Sequence, residues 1–241
     1  MRLSDFRVLT FDCYGTLIDW ETGLCSALQP LLQKSGRRQA RDEVLAAFGK
    51  HESAQESETP SMVYSNLLAA VHRRLAREWG VATTEHEDEK FGKSVPAWPA
   101  FADTVQALRY LKQHYQLVIL SNVDRASFAG SNARLEVAFD AVYTAEDIGS
   151  YKPDARNFRY LLERLAERGI SRGEILHTAQ SLFHDHAPAN AAGLASAWID
   201  RKHATEGWGA TRPPTTNPTY NFRFTSLAAM VEAHELEVRQ S

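Results

Sequence analysis

Six short apolar runs constrain this chain more than any other feature. They lie at residues 7–12, 116–121, 141–143, 174–178, 196–200 and 220–224. Most are separated by stretches with helical spacing, such as 104–113, 157–168 and 188–193. Strands that alternate with helices pair in parallel, because each crossover helix must return the chain to the same edge of the sheet. The expected fold class is therefore α/β, with a doubly wound, parallel-sheet (Rossmann-like) core. Such a sheet gathers its ligands beyond the carboxyl ends of the strands.

One interval breaks the alternation. Between the first run and the second, residues 21–98 hold no good strand but contain helix-like stretches at 42–52 and 61–79. In the latter, Val63, Leu67, Leu68, Val71, Leu75 and Trp79 recur at helical spacing, which marks a packed face. An all-helical insertion directly after the first strand reads as a cap. The segment Val95-Pro96-Ala97-Trp98-Pro99 serves as the hinge back into the sheet. The expected organisation is a Rossmann-like catalytic core at 1–20 and 99–241 and a helical cap at 21–98. Caps exclude water and supply substrate contacts. Residues 207–217 are rich in Gly, Pro and Thr and read as a loop, followed by a closing helix at 226–237 with Ser226 as its N-cap.

Composition narrows the classes of function. With 241 residues, 44% of them hydrophobic and 24% charged, the chain has enough apolar material for a full core. A formal net charge of -3 gives no reason to expect nucleic acid or a membrane surface as partner. No apolar run reaches membrane length and the first residues form no signal-peptide core, so the expected localisation is cytoplasmic. Cys13 and Cys25 form neither a disulfide framework nor a CxxC metal pair. Alternation along the strand turns Cys13 away from the side chain of Asp12.

Four short segments follow strand-like runs or their loops, where a doubly wound sheet brings them together. The first run ends Phe11-Asp12-Cys13-Tyr14-Gly15-Thr16, and Asp12 is a candidate carboxylate nucleophile. Ser121 and Asn122 end the second run and offer a hydroxyl and an amide to a leaving group or oxyanion. Lys152 supplies the positive charge that keeps Asp12 ionised. Asp185 is the second carboxylate, suited to orienting or activating water. Flanking it, His184 and His186 stand at i, i+2; in an extended loop both imidazoles face one side and can assist the water.

In this order the segments resemble the haloacid dehalogenase superfamily. Asp12-Cys13-Tyr14-Gly15-Thr16-Leu17 is similar to its first motif, Leu120-Ser121-Asn122 to its second and Tyr151-Lys152-Pro153-Asp154 to its third. Asp185, with Ala189, Ala192-Gly193 and Trp198-Ile199-Asp200-Arg201 after it, is similar to its fourth. Phosphatase members carry an aspartate two residues after the nucleophile as general acid, and bind Mg²⁺ with the help of an acidic residue early in the fourth motif. Here those places hold Tyr14 and Gln180. A halide leaving group needs no proton, so the resemblance is greatest to the type II 2-haloacid dehalogenases.

That resemblance implies a metal-independent hydrolase converting a small 2-haloalkanoic acid to a 2-hydroxy acid through an ester on Asp12. The implied cofactor is none, with Mg²⁺ only under the alternative of a phosphatase; a catalytically altered hydrolase of the same fold is the remaining reading. The implied partners are a small-molecule substrate and a second copy of the chain in a homodimer. The implied roles are Thr16 on the second oxygen of Asp12, Tyr14 and Asn122 on the substrate or halide, and His184 and His186 beside the water. The family's cap arginine has no counterpart in Phe48-Gly49-Lys50-His51-Glu52, which leaves Lys50 and His51 as the expected substitutes. Phe158 stands where the family usually has a tyrosine after the lysine.

Overall fold

A computed structural model of the chain describes residues 1–204 and 207–240. All strand pairings are parallel. The strands are β1 (Val8–Phe11), β2 (Gln116–Ser121), β3 (Ala141–Thr144), β4 (Ile175–Ala179), β5 (Ala195–Ile199) and β6 (Phe222–Phe224), in the order β3-β2-β1-β4-β5-β6. The four residues of β1 are all buried, as befits a strand covered on both faces. The order runs outward from β1 in both directions, so the crevice between β1 and β4 is the topological switch point.

Four helices follow β1 before the sheet resumes: α1 (Trp20–Ser35), α2 (Arg41–Glu58), α3 (Tyr64–Trp79) and α4 (Glu85–Gly92). Then α5 (Thr104–Leu111) leads into β2, and α6 (Arg125–Leu135) joins β2 to β3. The short α7 (Ala145–Ile148) and α8 (Ala155–Ala166) join β3 to β4, α9 (Ala187–Ala191) joins β4 to β5, and α10 (Leu227–Arg239) closes the chain. Ser226 caps α10, accepting from the amide of Ala229 at 3.0 Å. No helix among the described residues is long and apolar enough to cross a membrane.

The insertion shares one buried cluster with the sheet domain, running from Leu9 and Phe11 through Leu24, Phe48, Leu68 and Trp98. Gly23 in α1 makes this packing possible. A Cβ there would lie 2.3 Å from the ring of Trp98, so only glycine lets the helix approach the indole. The expected hinge forms a single 3₁₀ turn at Val95–Ala97, after which Trp98 is buried.

Candidate active site

The carboxyl end of β1 feeds straight into the site. The amide of Asp12 still donates to Thr178 of β4, so the backbone there is held as part of the sheet. The chain then turns at Gly15, whose φ of +96 is one a side chain rarely adopts. A Cβ at that position would also press on Gln180 and Trp20, each 3.2 Å away. This turn folds Thr16 back onto Asp12. Its hydroxyl donates to Asp12 Oδ2 at 2.8 Å and accepts from the amide of Gln180 at 2.9 Å. From outside, Arg201 fastens the turn, reaching the Thr16 carbonyl with two nitrogens while pairing with Asp103.

Lys152 is 1% exposed and all three of its protons are committed. They go to Asp12 Oδ1 at 2.9 Å, the Leu120 carbonyl at 3.0 Å and Asp185 Oδ1 at 2.6 Å. Burial alone would depress the ammonium, but the two carboxylates outweigh it and hold its pKa above the usual lysine value. Burial would likewise raise Asp185, yet Lys152 and a hydrogen bond from His177 keep it well below the carboxylate range. Asp12 is pushed up by burial and by the charge of Asp185, with Lys152 opposing both. With both carboxyls ionised, the trio carries one net negative charge in a desolvated place.

Asp185 Oδ1 accepts from Lys152 and from His177 Nε2 at 3.0 Å, while Oδ2 is buried with no partner. That oxygen is free to hold a water. His177, in the middle of β4, lies on Thr10 of β1 at 2.9 Å through its other nitrogen, so the register of the two strands fixes the second carboxylate. Ser121 ends β2 buried, with its hydroxyl unpartnered. Asn122 grips the backbone of Lys152 at both ends, donating to its carbonyl at 3.0 Å and accepting from its amide at 2.7 Å. One proton of the Asn122 amide remains for a ligand.

Asp12, Tyr14, Asn122, Lys152, His184 and Asp185 all line one cavity of about 70 Å³. A single water needs about 10–15 Å³ of such space, so the cavity suits a molecule of a few heavy atoms. Tyr14 closes one wall, its hydroxyl paired with Ser131 at 2.9 Å and its ring edge-on to Trp98. Burial pushes its phenol well above the ordinary value, so Tyr14 presents an uncharged ring and offers no acid. His184 is held down at about 4, chiefly by burial, and is neutral above that pH.

Three expected substrate contacts lie elsewhere. Lys50 and His51 both pair with Glu78, at 3.1 and 2.8 Å, and neither lines the cavity. His186 is fully buried between Ser196 and the Ala179 carbonyl. The loop around Asp185 is a π-helical turn, Leu182–His186, and not extended. Residues two apart in a helical turn point to different sides, so His184 and His186 diverge. Cys13 is buried and its thiol is pushed up by burial, which leaves it inert.

On the side of the helical insertion the cavity is walled by Glu52, Ser53 and Glu56 of α2 and Tyr64 of α3. Neither acid was singled out in the sequence; their i, i+4 spacing with Ser53 between them was the available signal. Ala210 and Thr211, from the loop after β5, complete the wall. A magnesium ion, which prefers several carboxylate oxygens, is poorly served at the strand ends: Asp12 already accepts from Thr16 and Lys152, Asp185 Oδ1 accepts from Lys152 and His177, and the early fourth-motif place holds the amide of Gln180. Among the described residues no group of three or more His, Cys, Asp or Glu gathers to hold a metal.

Comparison with known proteins agrees with the motif order. The family model haloacid dehalogenase-like hydrolase matches residues 6–193. A (S)-2-haloacid dehalogenase of Pseudomonas putida is 23% identical over 238 residues, covering 95% of this chain and 96% of that protein. Among solved structures, a defluorinating L-2-haloacid dehalogenase superposes with TM-score 0.77 at 20% identity, covering 98% of this chain and 99% of that one. The HAD-hydrolase YfnB of Bacillus subtilis bound to magnesium superposes with TM-score 0.75 at 19% identity, covering 98% of this chain and 100% of that one. Dehalogenases and a magnesium-bound hydrolase thus share the architecture equally, and the discrimination falls to the side chains.

Proposed function

The chain belongs to the haloacid dehalogenase-like hydrolase family, and from that membership we propose a metal-independent dehalogenase that displaces halide from the carbon next to a carbonyl, as in a 2-haloalkanoic acid. One observation carries this reading: a buried nucleophilic carboxylate shares a lysine with a second carboxylate whose free oxygen lies in the same cavity, where Tyr14 offers the leaving group no proton. The relatives named as 2-haloacid dehalogenases support it.

In the first step an oxygen of Asp12 attacks C2, the carbon–halide bond breaks and halide leaves with the electron pair, inverting the carbon. Thr16 and Lys152 hold the carboxylate in line without quenching it, because each oxygen has a lone pair left over. Alkylation removes the charge of Asp12. In the second step a water on Asp185 Oδ2 attacks the Asp12 carbonyl carbon and the ester C–O bond breaks; one water proton goes to the departing alkoxide to give the 2-hydroxy acid, and the other leaves through Asp185 to solvent, restoring the Asp12 carboxylate. Residues 21–98 act as the cap that keeps bulk water from this ester.

Chloride release from chloroacetate and from each enantiomer of 2-chloropropionate tests the reaction. A single turnover in ¹⁸O-water tests the route, with one label expected in the peptide carrying Asp12. Turnover that leaves that peptide unlabelled would refute the ester. Under a magnesium phosphatase, EDTA would abolish activity and an aryl phosphate would be cleaved.

A further inference from the structure

An anionic 2-haloalkanoate calls for a counter-charge, and the cavity around Asp12 has none to spare. Among the described residues Lys152 is its sole Lys or Arg, and its three protons are committed. Lys50 is held by Glu78 away from the cavity. Arg41 donates to Thr22 at 3.1 Å and lines a different cleft with Arg201 and Lys202.

The next opening holds a cation. A cleft of about 290 Å³ adjoins the cavity and shares Ser53, Glu56, Lys152 and His184 with it. Arg212 lines this cleft, while its chain neighbour Thr211 lines the cavity, so the loop after β5 passes from one space to the other. The guanidinium lies over the ring of Phe183 at 4.7 Å, and that ring meets the imidazole of His184 edge-on at 4.9 Å. Burial lowers His184 most, and the positive charges of Lys152 and Arg212 add to the effect. Arg212 is exposed and makes no ion pair or hydrogen bond among the described residues. Stacking on a ring face orients the planar group and leaves its fork of N–H donors open. Glu56, on the wall of both spaces, leaves that charge intact. Burial and the neighbouring Glu52, itself raised by burial to about 7, push the carboxyl of Glu56 up toward its neutral form, which can donate to an anion as well.

Building on the dehalogenase reading, we propose that Arg212 is the substrate-binding cation of this protein: the 2-haloalkanoate lies across the shared opening, with C2 at Asp12 and its carboxylate toward the guanidinium. The counter-charge then comes from the loop after β5 and not from α2. Arg212 meets only the carboxylate and takes no part in breaking the carbon–halide bond. Because the guanidinium stays open to solvent, its pull is screened and acts on binding more than on the displacement step.

Steady-state chloride release from each enantiomer of 2-chloropropionate, in the parent and in Arg212→Ala, Arg212→Glu and Arg212→Lys, tests the assignment. Circular dichroism should show all three variants folded, since the side chain is exposed. For the better enantiomer KM should rise about fivefold in Arg212→Ala, the upper end for an ion pair open to solvent, and about twentyfold in Arg212→Glu, with kcat within about twofold of the parent. Arg212→Lys keeps the charge without the planar stack, and its KM should stay within about twofold of the parent value. A KM unchanged in both Arg212→Ala and Arg212→Glu overturns the proposal. An equal rise in all three variants does so too, because it traces the effect to the stack on Phe183 and not to charge. Either result leaves the dehalogenase reading standing, whereas no chloride from either enantiomer in the parent overturns that reading and the proposal together.

Discussion

Lys152 shows how much one side chain can do when it is spent completely. An ammonium with three partners cannot wander, so it holds two carboxylates in fixed relation while cancelling one of their charges. Lys152→Ala should slow alkylation of Asp12 by about 10²–10³-fold, the order seen when a preorganised donor is lost from a buried site. Rapid-quench measurement of halide in the first turnover checks this, and circular dichroism should show an intact fold. Glu52 allows a second prediction, on stability. Its folded pKa of about 7 lies above the usual value, so between roughly pH 4.5 and 7 the folded state holds a proton that the unfolded chain has released. Stability therefore falls as pH rises through that window. Glu52→Gln should stabilise the protein by roughly 1–3 kcal/mol at pH 8 and leave it unchanged at pH 4, read by urea unfolding at both values. That Asp12, Lys152 and Asp185 meet was legible because each follows a strand-like run or the loop after one. His177 was not, since its role depends on which strand lies beside β4.

At the scale of elements, periodicity revealed what packs and missed what approaches closely. The amphipathic stripe of α3 is plain from Val71 to Trp79. α1 carries Gly23 and Pro30 inside it and gives little sign of a helix. Its glycine is there for Trp98, and Trp98 in turn braces Tyr14 at 5.7 Å between ring centroids. Gly23→Ala should cost about 1–3 kcal/mol through overpacking, despite alanine's better helix propensity. Thermal unfolding measures the loss, and a raised KM should accompany it if the indole pushes Tyr14 into the cavity. The divergence of His184 and His186 has the same root. Spacing tells where side chains point only once the local backbone is known, and an extended loop and a π turn send i, i+2 neighbours in different directions.

At the scale of the molecule, the order β3-β2-β1-β4-β5-β6 follows from βαβ units wound both ways from β1, and the alternation of runs announced that class. Which strands flank β1 is a matter of tertiary pairing, and so is the meeting of the chain ends. There Glu237 of α10 accepts from the amides of Leu3 and Ser4 at 3.0 and 2.9 Å. The donor set of the cavity, with Gln180 in place of an acid, predicts that turnover of a halogenated substrate is indifferent to EDTA and to added Mg²⁺. A loss of more than half the rate on chelation, restored by the ion, would contradict it.

The cavity wall is drawn from a segment that takes no part in the sheet. Ala210 and Thr211 reach it from the loop between β5 and β6, while Asp12, Lys152 and Asp185 sit on the turns that follow other strands. Under the proposed reaction, recognition and chemistry are thus written on different stretches of chain. Substitutions in that loop can change which molecule is admitted without touching the carboxylates or the lysine, so diversification of substrate range need not begin with loss of the catalyst.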